Sequence, residues 1–180
     1  MANINPYEPP EASYNPPEPD VESAAQQGPQ GLGGWLILVG IGLAITPFRL
    51  GAVIFLIHVP LFTNGTWEVL TSPGSPQYHP LWAPLLIFEV LTNVAFIVTY
   101  LVVGYLFLSR SRFFPRTYIT VACINLFFII FDAWACSFVL QGDSIFDPDT
   151  TREIVRSLIS AAIWIPYMLV SKRVKNTFTA

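Results

Sequence analysis

Residues 83–108, APLLIFEVLTNVAFIVTYLVVGYLFL, decide the fold. The stretch holds a single charged residue, Glu89, in a run that as a helix rises ~39 Å, more than the ~30 Å hydrocarbon core of a bilayer. Three further apolar segments flank it, at about 35–62, 119–140 and 153–171. The chain therefore reads as all-α: a polytopic membrane protein of four transmembrane helices, preceded by a disordered Pro-rich tail.

Composition agrees with that reading. Of 180 residues, 53% are hydrophobic and 12% charged, and mean hydropathy is +0.52. A soluble domain carries about twice that charged fraction. The net charge of −3 is misleading, because the first 34 residues hold seven prolines, five acids and no Lys or Arg. Residues 1–31 lack the apolar surface that would offset ordering entropy and read as an extended acidic tail, with residues 32–178 as the membrane domain. Two PxxP stretches, at 6–9 and 16–19, fit adaptor binding, although a tether is the simpler reading.

The basic residues set an expected topology. Arg110, Arg112 and Arg116 lie in SRSRFFPRTY between segments two and three, and Lys172, Arg173 and Lys175 follow segment four. The other two connections contain only Arg152. The positive-inside rule then puts both termini in the cytoplasm of an inner (plasma) membrane, with those six cations facing the lipid headgroups. Trp67, Tyr78, Trp82 and Tyr118 are expected at the interfaces. Segment one is long enough to break, and Thr46-Pro47 is the expected place, as a kink or a re-entrant turn. Thr150-Thr151-Arg152-Glu153 has the form of a capping box and is expected to start segment four.

Arg49, Glu89, Asp132 and Arg156 fall inside apolar segments, where charge is costly and faces a bundle interior or a water-filled cavity. Counting rise from each entry point puts Arg49 ~21 Å from the inner edge, Asp132 ~20 Å from it, and Glu89 ~9 Å and Arg156 ~5 Å from the outer edge. Their formal charges cancel, as a buried cluster requires. Helical spacing adds Asn93 and Tyr100 to the Glu89 stripe, Asn125 and Cys136 to the Asp132 stripe, and Ser160 and Tyr167 to the Arg156 stripe. The candidate site is thus Arg49, Glu89, Asn93, Asp132 and Arg156, with Arg49 expected to pair with Glu89 or Asp132. It reads either as an ion-pair network fixing helix register or as a proton or solute pathway.

Several chemistries find no support. No HExxH, GxSxG, Walker loop or Cys/His metal spacing is present, and His58 and His79 stand outside any motif. No cofactor is expected, and an enzyme is the least favoured reading. Cys123 and Cys136 would lie ~20 Å apart on one helix, too far for a disulfide. The Lys/Arg residues flank apolar runs and do not line a helix face, so no nucleic-acid partner is expected. The expected partners are the lipid bilayer and, as an interaction module, another membrane protein or a second copy. Gly40 and Ala44 form one small-xxx-small pair. Asn64-Gly-Thr66 is a formal glycosylation sequon.

GLGGWLILVGIGLAITPFRL (31–50), FFPRTYI (113–119) and AAIWIPYMLVSKRVKNTF (161–178) together resemble a bacterial membrane family known as domain of unknown function 2569. The most specific parts are Gly-Gly-Trp-Leu at the start and Trp-Ile-Pro-Tyr with Ser-Lys-Arg-Val-Lys at the end. The resemblance implies four spans and a bacterial inner membrane, and brings no activity, cofactor or catalytic residue. The favoured function is a small accessory or interaction module. The alternative is a small transporter or proton/solute pathway subunit.

Overall fold

A computed structural model describes residue 28, residues 30–139 and residues 148–179. The expected disordered tail falls on residues outside this set. The described residues form α1 (Trp35–Val53), a π-helical turn (Ile54–His58), α2 (Val59–Thr63), α3 (Thr66–Thr71), α4 (Trp82–Leu108), α5 (Phe114–Cys136), α6 (Pro148–Val170) and α7 (Lys172–Thr177). Four helices are long and apolar enough to cross a membrane: Trp35–Thr63, Trp82–Leu108, Phe114–Cys136 and Pro148–Val170.

Helix α1 packs along α4, α4 against α5, and α5 against α6, whereas α1 and α6 share no comparable seam. Leu36, Val39 and Leu43, at i, i+3 and i+7, form the buried face of α1. Phe96, Val103 and Phe107 do the same on α4. The opposite faces, including Leu91, Val98, Leu101, Val102 and Tyr105 on α4, are exposed, as expected of lipid-facing surface. In lipid, helices associate mainly by close packing. Gly40 supplies this on α1, because a Cβ there would lie 2.9 Å from Cε1 of the Phe107 ring. The small residue expected to admit a helix backbone thus admits an aromatic ring. Gly40→Val should overpack this contact and cost about 1–3 kcal/mol, read as a lower midpoint in a detergent thermal melt. An unchanged midpoint would mean that Phe107 moves aside freely.

The core is concentrated at one end of the bundle. Phe114 stacks on Phe178 at 4.5 Å and meets Phe107 at 5.1 Å, and Phe107 also meets Phe178 at 5.9 Å. Helix α7, begun by the Ser171 hydroxyl accepting from the Val174 N–H, buries Val174 and Thr177 beneath this aromatic group. Thr177 closes the end: its Oγ1 accepts from the Gly31 N–H at 2.9 Å and donates to the Gly31 carbonyl at 3.3 Å.

Three expectations at element ends are corrected. First, α1 runs unbroken through Pro47, and Thr46 Oγ1 bonds the Gly42 carbonyl at 2.7 Å, so the segment neither breaks nor turns back there. The irregularity comes at Ile54–His58, where the Val59 N–H donates to the Ile54 carbonyl, five residues back. Pro60 is the physical cause. It has no N–H for the Leu56 carbonyl and its ring crowds that group, which a widened turn relieves. Second, FPRTY (114–118) is helix and not connection. Pro115 occupies the first turn of α5, where proline is favoured, so Arg116 and Tyr118 are helical and the connection shrinks to 109–113. Third, α6 already includes Pro148, so Thr150 lies within it and does not cap it. Asp149 suits that first turn and pairs with Arg152 at 3.0 Å.

Between α2 and α3, Asn64 Oδ1 accepts from the Thr66 N–H (3.0 Å) and hydroxyl (2.6 Å), with Gly65 left-handed between them. The sequon is therefore built into a tight turn. Cys123 and Cys136 are both free thiols on α5.

Candidate functional site: a polar cluster and cavity among the four spans

The expected cluster divides into two linked parts. Arg49 Nη2 lies 3.3 Å from Glu153 Oε1, so the partner of Arg49 is on α6 and is neither Glu89 nor Asp132. The reason is the antiparallel crossing of α1 and α6, which brings Glu153, one turn before Arg156, level with Arg49. Glu89 pairs instead with His58, with Oε1 3.3 Å from Nε2. His58 is only 2% exposed, and its Nδ1 lies 3.4 Å from the Val53 carbonyl. The π-helical turn makes this meeting possible, because one extra residue in the turn rotates the His58 side chain onto α4.

Asp132 is half-buried on α5 and stands within electrostatic reach of Glu89, Glu153 and His58. All four spans thus contribute ionisable groups to one region, far from the aromatic end. Asn93 is half-buried one turn from Glu89 and does not line the cavity described next.

That cavity, of about 320 Å³, lies between α1 and α6 and is floored by α4 and α5. Arg49 and Arg156 both line it, with Tyr100, Tyr118, Asn125 and Ser160. Tyr118 therefore faces inward, near the start of α5. At one end Trp35 meets Trp164 edge to face at 6.3 Å, and at the other Arg49 holds Glu153. Between these two clasps the α1–α6 gap is open. Among the described residues Arg156 has no ion-pair partner.

The six flanking cations collect at the aromatic end. Arg110 sits in the α4–α5 turn with φ 53°, the Arg112 guanidinium lies 5.0 Å from the Phe113 ring centroid, and Arg116 is on the first turn of α5. Lys172, Arg173 and Lys175 lie on α7. Arg173 also has a local task. Its guanidinium donates to the Gln30 carbonyl at 3.5 Å and covers Gly33, where a Cβ would come within 2.8 Å of Nη1. The Gly-Gly-Trp-Leu and Ser-Lys-Arg-Val-Lys motifs are thus two sides of one contact.

Glu153 and His58 were missed from sequence. In the sequence Glu153 reads as the last residue of a capping box, and His58 belongs to no motif. The available signal was simpler, namely a titratable side chain inside or at the edge of an apolar span.

Length, apolarity and the charged interior of its four spans define a multi-pass helical membrane protein. The chain belongs to the family described as protein of unknown function (DUF2569), whose family model matches residues 29–179. Comparisons with curated proteins and with solved structures returned no match.

Proposed function

We propose that this protein is a small bacterial inner-membrane module that works through its intramembrane polar site, as a solute or proton pathway component, and not as a passive accessory subunit. The observation that carries this reading is the line of ionisable groups, one or more from every span, running from Arg49–Glu153 past Asp132 to Glu89–His58, with its Arg49 end lining a cavity. A network that only fixed helix register would be served by pairs, with no open volume beside it. The accessory reading gains little from the apolar groove between α4 and α5, lined by Phe88, Phe131, Trp134 and Phe138, since acyl chains fill such a groove as well as a partner helix does.

Native-membrane purification in mild detergent tests the proposal. A monomer whose melting midpoint rises with added solute supports it. A stoichiometric protein partner, with no solute raising the midpoint, restores the accessory module.

The same proposal places both termini in the cytoplasm, because the six flanking cations share the end of the bundle where α7 and residues 30–34 meet. A C-terminal fusion to a reporter that matures only in the cytoplasm should be active. Activity of a periplasm-only reporter at that position would reverse the orientation.

A further inference from the structure

The two sides of the polar region carry opposite charge. His58, Glu89 and Asp132 lie away from the cavity, and the cavity itself is lined by two guanidinium groups and no carboxylate. Glu153 neutralises part of Arg49 from the cavity's edge, whereas Arg156 meets no acid among the described residues. Arg156 is exposed where it lines the cavity, and an anion entering there gives it the counter-charge that a cation within an apolar span otherwise lacks.

The other linings extend the argument. Guanidinium forks bind oxyanions in bidentate fashion. Hydroxyls of Tyr100, Tyr118 and Ser160 and the Asn125 amide can donate to the remaining oxygens. The volume, about 320 Å³, sits at the lower end of the ~300–1,000 Å³ range of ligand sites, which suits a head group and excludes a large solute. Leu38, Leu43 and Trp164 line the rest with apolar surface, and the open α1–α6 gap faces the surrounding acyl chains.

We infer that the α1–α6 cavity binds an oxyanion, a phosphate or carboxylate group held between Arg49 and Arg156, supplied by a lipid headgroup entering through the gap or by a small free anion. This deepens the polar-site proposal and rests on it.

The test is thermal unfolding of the full-length protein in a neutral detergent with three additions: inorganic phosphate, short-chain phosphatidic acid, and short-chain phosphatidylcholine as the zwitterionic control. At saturation an anion should raise the midpoint by about 5 °C, and phosphatidylcholine should not. Phosphatidic acid alone identifies the lipid source, and inorganic phosphate acting equally well identifies the free anion. Arg156→Gln should weaken the apparent affinity at least tenfold, and Arg156→Lys should restore part of it. Arg112→Gln, at the far end of the bundle, should respond as the parent does. An anion response undiminished in Arg156→Gln overturns the site. Stabilisation by phosphatidylcholine as great as by either anion overturns the oxyanion class, as does no response to any of the three additions, and both outcomes leave the polar-site reading to the solute and partner test in native-membrane purification.

Discussion

Phe114→Ala is expected to lower stability by about 3–5 kcal/mol, the range for removing a large aromatic from a packed core. Phe114 is 0% exposed and contacts Phe107, Phe178 and Tyr118. Loss of its ring leaves a void beneath α7 that Phe178 alone cannot fill. The effect should appear in detergent unfolding and also in protease sensitivity after Ser171, since α7 is held mainly by this aromatic group and by the Thr177–Gly31 bonds. A loss below about 1 kcal/mol would mean that the end collapses around the gap.

Arg49→Leu has the second largest expected effect. Removing one partner of a fully buried ion pair costs about 3–5 kcal/mol. Arg49 and Glu153 side chains are 51% and 48% exposed, so screening within the open cavity reduces the expected loss to about 2 kcal/mol. Glu153→Leu should cost a similar amount, and the double variant should recover part of it, a coupling of about 0.5–3 kcal/mol. Arg49→Leu combined with Glu89→Leu should instead be additive, because these residues have different partners. Recovery in that second pair, and not the first, would put Arg49 against Glu89 and refute the geometry described above.

Much of the architecture was legible because a lipid solvent imposes simple rules. Apolar length reveals a span, flanking cations mark one end of a bundle, and intramembrane charges announce an interior. Depth counting also brought Arg49, Glu89 and Asp132 near one level without coordinates. Partner identity was not legible, because it depends on rotation about each helix axis. Arg49 reached Glu153 only through the α1–α6 crossing. His58 reached Glu89 only through a turn caused by a proline two residues later. FFPRTY misled because Arg116, with Arg110 and Arg112 just before it, reads as loop, while Pro115 is a good first-turn residue. The pairing of Arg173 with Gly33 was invisible for a different reason, since it joins two termini about 140 residues apart.

The π-helical turn at Ile54–His58 also sets how this span responds to a change in residue number. A wide turn stores one residue beyond the α-helical count. Deleting any one position between 54 and 57 gives the chain an easy way to revert to regular winding. Five residues of wide turn sweep about the same angle as four of regular helix, so everything after the deletion keeps nearly its phase relative to α1. Regular winding with no residue lost is the disruptive case, because His58, Asn64 and α3 would then turn by about 100° relative to α1. Hydropathy and span length would hardly change, yet one end of the charged line would be disconnected. In this segment the phase of the helix is inherited separately from its greasiness, and a substitution that lets the turn rewind changes the first while a single-codon loss spares both.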